Sequence, residues 1–221
     1  MDGDAGNGAR GGRPFYVGYL ELPRAHRVFL MIAVPLVLIG LAVGAVGLSR
    51  AQPAWGDGFW QTGEASFWRG TLVLEPYPML HVRGEESVET SLLVEMGKFG
   101  SRDRFGGAGV DGASVEIRGR ELVRDGRRVI EIDPDSDVLG PSWRVVEDAA
   151  VRAPVVMGDE RVELVGEIVD SKCFLGAMKP GAGRGHKACA TLCIDGGIPP
   201  VLVVFPDGEG AAAEYWLLTD A

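Results

Sequence analysis

The chain has 221 residues, 46% of them hydrophobic, and carries 22 Lys and Arg against 31 Asp and Glu, a formal charge of −9. That length accommodates one large domain or two small ones. The acidity excludes nucleic acid as a partner, because phosphate binding requires clustered cations.

The first 27 residues open with "MDGDAGNGARGGRP", rich in Gly and Asp and without an apolar period, which reads as a disordered cytoplasmic leader. "FYVGYLELP" then brings three aromatics toward the next segment, as interfacial residues do. Residues 28–49, "VFLMIAVPLVLIGLAVGAVGLS", hold no charge, and such a run at about 1.5 Å per residue matches the roughly 30 Å hydrocarbon core of a bilayer. A cleaved signal has an apolar stretch of only about 7–15 residues behind a short basic leader, so an anchor is favoured over a signal peptide. Arg10, Arg13, Arg24 and Arg27 precede the run, whereas Arg50 and Arg69 follow it. The positive-inside rule then gives a single-pass protein of a bacterial inner membrane with a cytoplasmic N-terminus and a periplasmic C-terminal domain. Gly40 and Gly44 form a small-xxx-small pair, with Gly47 one turn on and Pro35 as a candidate bend, so a membrane protein partner is expected to dock on this helix.

From residue 51 onward the chain carries 17 Lys and Arg against 28 Asp and Glu, a formal −11. Such a surface would attract a cationic soluble electron carrier, although acidity also serves solubility alone. Residues 50–150 read as a first β module. "GTLVLEPYPMLHV" (70–82), "TSLLVEM" (90–96) and "ASVEIRG" (113–119) have strand composition. "ELVRDGRRVIEI" has apolar runs on both sides of Asp125-Gly126, a strong hairpin signal. Five short strands without a long helix predict a small OB-like barrel. His81, alone on a strand, is expected to be solvated or hydrogen-bonded rather than a ligand. The stretch 95–109, "EMGKFGSRDRFGGAG", does not match the phosphate-loop pattern and is expected to be a mobile or docking loop.

Residues 151–221 read as a second OB-like module. "VELVGEIVDSKCF" opens it, a Gly/Pro-rich loop and a short helical stretch "HKACATLC" follow, and "VLVVF" and "EYWLLT" complete three strands. With three strands this barrel is incomplete, and an exposed sheet edge calls for a partner or another cover. The overall expectation is a mostly β protein: one N-terminal transmembrane helix followed by two small OB-like β-barrel modules.

The three cysteines and one of the three histidines fall in the second module, at Cys173, His186, Cys189 and Cys193. In a helix His186 and Cys189 are i,i+3 and Cys189 and Cys193 are i,i+4, so one face presents all three, and the glycine loop can bring Cys173 over that face. Three thiolates and one imidazole suit a closed tetrahedral zinc site, with iron or copper as further candidates. Met178 is a further soft donor nearby, and Asp170 is a candidate acceptor that would orient the His186 ring. The alternatives are a disulfide from Cys173 to Cys189 or Cys193 that leaves one free thiol, unlinked buried cysteines, and a reactive cysteine beside His186, Lys172 and Lys187. No haem-attachment motif is present, and no residue offers itself as a base beside an open coordination position, so no catalytic residue is assigned.

On these residues the chain resembles a largely uncharacterised group of bacterial membrane-anchored or exported proteins, through "GEIVDSKCFLGAMKPGAGRGHKACATLCIDGGIPP", residues 166–200. The shared pattern is a GEIVD strand, a Cys, a Gly/Pro loop, His-x-x-Cys-Ala-x-x-Cys and a Gly-Pro turn. The resemblance implies an extracytoplasmic β module with a ligand-like Cys/His set and no particular activity. Members of the group continue with another hairpin after the "YWLLT" strand. The function expected from all this is an accessory subunit of a membrane redox complex, with a stand-alone copper or zinc carrier and a metal-free, disulfide-stapled interaction module as alternatives.

Overall fold

The computed structural model of the chain describes residues 22–50, 57–106, 109–147, 150–154, 161–204 and 213–219. Residues 1–21 of the leader expected to be disordered, the linker residues 51–56 and the expected turn at 206–210 lie outside the described residues, whereas 24–27 of that leader belong to the first helix. The chain divides into two units, Met1–Trp55 and Gly56–Ala221.

The first unit is built on helix α1 (Arg24–Arg50), which has Pro35 inside it and buries none of its residues. It is long and apolar enough to cross a membrane: 27 residues rise about 40 Å. A Cβ added at Gly40, Gly44 or Gly47 would meet nothing within 4 Å, so this strip of the helix surface is open.

The second unit begins with β1 (Phe59–Trp60), β2 (Ser66–Val73), β3 (Met79–Arg83) and β4 (Val88–Val94). A short helix α2 (Arg102–Phe105) follows, then β5 (Ser114–Arg124) and β6 (Arg127–Ile132). β2, β3 and β4 run as an antiparallel meander, β4 pairs with β6 in parallel, β6 with β5 and β5 with β2 antiparallel. The ring therefore closes as a five-stranded barrel with the connectivity of the OB-fold, which removes every sheet edge within it. β1 and β7 (Trp143–Val145) pair with β5 outside the ring. The inward positions of the strands, among them Leu72, Leu80, Leu93, Ile117 and Ile130, are fully buried, and Phe105 of α2 joins them. The Phe105 ring meets Trp143 edge-on at 5.2 Å between centroids, a favoured aromatic geometry.

The barrel has the expected number of strands, but their limits differ from the sequence reading. The stretch 70–82 is a hairpin, not one strand, because Pro76 and Pro78 interrupt any ladder between β2 and β3. Conversely, 113–119 does not end at its glycine: β5 runs on for 11 residues. Its first half pairs with β2 and its second with β6. Gly119 is where β6 approaches; a Cβ there would lie 2.5 Å from the Glu131 carbonyl oxygen. The hairpin at Asp125-Gly126 is present, with φ of 50° and 73°, the left-handed pair that a two-residue type I′ turn demands.

The second module comprises β8 (Gly166–Asp170), a π-helical turn (Cys173–Ala177), helix α3 (Lys187–Asp195), β9 (Pro200–Val204) and β10 (Glu214–Leu217). Its strands form an antiparallel sheet in the order β10-β9-β8, which stays open among the described residues. Both modules belong to the one compact unit. The Arg124 guanidinium of the barrel lies 4.3 Å above the Phe174 ring. The Lys172 ammonium pairs with Glu131, and both residues are buried. The fold is thus mostly β, an apolar helix followed by a closed barrel and a module with a three-stranded sheet and the short Cys/His helix.

Candidate metal centre

β8 ends at Asp170, whose carboxylate is fully buried. Its Oδ1 accepts the backbone N–H of Cys173 at 2.8 Å, as an N-cap does for the donors of an opening helical turn, and this seats Cys173 at the start of the π-helical turn. Its Oδ2 accepts from His186 Nε2 at 3.0 Å. The loop between them folds back closely: a Cβ on Gly181 would come within 2.5 Å of the Cys173 carbonyl oxygen. His186 stands at the N-cap position of α3, and the helix then brings Cys189 and Cys193 round to the same side, as i,i+3 and i,i+4 spacing requires.

The four expected ligand residues converge. The ligand atoms of Cys173, His186 and Cys189 lie within 4.8 Å of one another, as do those of Asp170, Cys173 and Cys193. The Cys173 and Cys193 sulfurs are 3.9 Å apart. That is far beyond a disulfide bond of about 2.05 Å, and all three thiols are free. It is close to the ~3.8 Å that separates two sulfurs bound tetrahedrally at ~2.3 Å from one ion. The cluster could therefore hold a metal ion. Asp170 already uses both oxygens on Cys173 and His186, which leaves His186 Nδ1 as the ring nitrogen free to face an ion. A carboxylate–histidine pair of this kind sets the tautomer of a metal-binding imidazole.

Cys173, Cys193 and His186 are buried, and Cys189 is partly exposed. Burial pushes the Cys173 thiol far above its ordinary range, and the nearby Asp170 charge adds to the effect. The Cys193 thiol is raised for the same two reasons, in the same order. Without a cation these sulfurs keep their protons, so binding an ion would release them.

Lys98 as a participant, and the part played by Lys172, were not legible in the sequence. Lys98 donates from Nζ to the Cys189 sulfur at 2.7 Å and to Cys193 at 3.5 Å. The hydrogen bond to Cys189 is the main reason its ammonium is held more tightly protonated than an ordinary lysine. Lys172, neighbour of Cys173, donates to the carbonyls of Glu95 and Gly97 at 2.8 and 2.7 Å and pairs with Glu131. Residues 95–101, the first part of the stretch 95–109 expected as a mobile or docking loop, are thus packed against the end of the cysteine helix and clamped by Lys172. The glycines around Lys98 were its only sequence signal. A separation of 91 residues between Lys98 and Cys189 leaves no local pattern to read.

The remaining candidates divide. Met178 lines a cavity of about 590 Å³ together with Met96, Lys98 and all three cysteines. His81 is buried, and that burial lowers its pKa. Its Nδ1 lies 2.9 Å from Thr90 Oγ1 on the paired strand, the hydrogen-bonded strand histidine expected.

The family model described as Opacity-associated protein A N-terminal motif matches residues 19–42, the end of the leader and much of α1. No curated protein and no solved structure matches the chain.

Proposed function

We propose that the protein is a membrane-anchored accessory subunit of a bacterial membrane redox complex, holding a metal ion through Cys173, His186, Cys189 and Cys193 in an exported domain. The observation that carries this reading is the convergence of three unbonded thiols and one carboxylate-oriented imidazole, with Cys173 and Cys193 sulfurs 3.9 Å apart. Zinc stands first for a closed set of three thiolates and one imidazole, ahead of iron and copper. In this reading α1 spans the inner membrane with its N-terminus in the cytoplasm, and the arginine asymmetry around it supports that orientation. The open strip at Gly40 and Gly44 docks a partner helix. The match over residues 19–42 to an N-terminal motif supports an exported protein. The resemblance of residues 166–200 to exported bacterial proteins supports the same placement.

The test is elemental analysis, thiol counting and a visible spectrum on the full chain, extracted in mild detergent under anaerobic conditions without chelator. One metal per chain, lost in a His186→Ala variant together with thiol protection, is the expected result, and co-purifying membrane subunits are expected with it. One free thiol and no metal would mean a disulfide staple and end the redox reading. A second reading, a stand-alone metal carrier, is favoured by the cavity that all three cysteines line, since a carrier must let its ion exchange. A monodisperse monomer that hands its metal to a chelator within seconds would decide for it.

A further inference from the structure

The cavity above the cysteines is lined by three cations, Lys98, Arg120 and Lys172, and two of them are committed elsewhere. Lys172 is taken up by Glu131 and two backbone carbonyls. Arg120 donates to Asp133 and to the Gly63 carbonyl. Lys98 directs its ammonium at the cluster's sulfurs, Cys189 and Cys193. Its backbone is fixed from several sides. Lys172 holds Glu95 and Gly97, the Glu95 N–H closes the loop on the Phe99 carbonyl at 3.0 Å, and the Gly100 N–H donates to the Gly196 carbonyl at 2.9 Å. The barrel thus delivers one lysine to the end of the helix that bears two of the ligands.

A divalent ion bound by three thiolates and a neutral imidazole carries a net charge of −1, in a cluster whose other members are mostly buried and which lies beside the Asp170 carboxylate. A buried surplus charge is unfavourable unless it is paired and hydrogen-bonded. Hydrogen bonds to coordinated sulfur are among the means by which surrounding groups set a metal site's properties.

We infer that Lys98 is an integral part of the metal centre, a positioning residue that donates hydrogen bonds to the Cys189 and Cys193 sulfurs and offsets the negative charge of the ion's thiolate shell. The inference rests on the metal-binding reading and deepens it: a residue of the barrel regulates how tightly the second module keeps its ion. It also gives the barrel a role in the site. Cys189, the most exposed of the three thiols, is the ligand Lys98 touches most closely, so an ion entering or leaving through the cavity passes this contact.

The experiment compares the full chain in detergent with Lys98→Met and Lys98→Arg variants, each stripped of metal, using Zn²⁺ alone in competition with a chromophoric chelator and Co²⁺ as a spectroscopic probe. Lys98 is exposed, so the variants are expected to fold, and thermal unfolding of the metal-free forms checks this. The expected result is a zinc affinity ~10–100-fold weaker in Lys98→Met, the usual scale for losing a group that supports a metal ligand, and restored largely by Lys98→Arg. The thiolate-to-Co²⁺ charge-transfer band should shift to lower energy in Lys98→Met, which a mere loosening of the loop would not produce. Wild-type protein that binds zinc while Lys98→Met binds it equally tightly, with an unshifted band, overturns this inference and leaves the metal site standing. Wild-type protein that binds neither ion overturns the metal-binding reading itself, and the role of Lys98 falls with it.

Discussion

At the scale of single residues, Asp170 has the most demanding position. It is fully buried, and its two oxygens serve different partners, the Cys173 backbone and the His186 ring. Asp170→Asn would keep the shape and the acceptor for Cys173 but set an amide donor against His186 Nε2. The imidazole would then favour the tautomer with its proton on Nδ1, where an ion needs a lone pair. The prediction is a ~10–100-fold loss of zinc affinity with little change in the unfolding temperature of the metal-free protein, measured by chelator competition and thermal scan. Unchanged affinity would exclude the orienting role.

A second residue-scale prediction concerns pH. The Arg69 and Arg144 guanidinium groups hold the Glu116 carboxyl below its ordinary value of 4.5, the Arg69 hydrogen bond contributing most. A carboxyl whose pKa is lowered in the folded state stabilises above its unfolded pKa, and that contribution is lost as pH falls through the folded value. Urea denaturation should therefore show wild type more stable than Glu116→Gln at pH 7. The difference should begin to shrink below about 4.5 and close at lower pH. A gap that persisted unchanged at pH 2 would mean the effect is packing, not charge.

At the scale of elements, the contact between the 95–101 loop and the end of α3 is made by glycines because of space. A Cβ on Gly196 would lie 1.9 Å from the Lys98 carbonyl oxygen, and one on Gly100 would lie 2.1 Å from that of Gly197. Gly196 has φ of −79°, a value any residue adopts, so what it supplies is absence of bulk. Gly196→Ala must push backbone against backbone, and overpacking of this kind costs about 1–3 kcal/mol. It should also displace Lys98 from the thiols. Equilibrium denaturation and zinc release should both respond in this variant. A change in neither would show that the loop yields freely. Gly119 in β5 answers to the same constraint from the neighbouring strand β6.

At the scale of the whole molecule, the barrel and the second module are joined by the buried Lys172–Glu131 pair as well as by the glycine contact. Removing one member of a buried ion pair costs about 3–5 kcal/mol, because the other charge is left without its partner. Glu131→Leu is therefore expected to destabilise the second unit by that order in a urea titration, whereas replacing both residues with apolar ones should recover much of it. If the single variant were neutral, the two carbonyls of the loop would be enough for Lys172, and the modules would be held by other contacts.

Local signals were sufficient for the apolar helix, the type I′ hairpin, the alternating strands and the helical face of "HKACATLC". Each depends on residues within a few positions of one another: an uncharged run, a turn pair that tolerates positive φ, a period of two, a spacing of three and four. The limits of β2, β3 and β5 were misread because strand ends follow from pairing with distant segments, and both the close approach at Gly119 and the break at Pro76 act through that pairing. The distance between Cys173 and His186, the acceptor geometry at Asp170 and the arrival of Lys98 depended on tertiary structure alone. A charge 91 positions away in sequence reaches two sulfurs only after the barrel has closed and its loop has met the glycines at the end of α3.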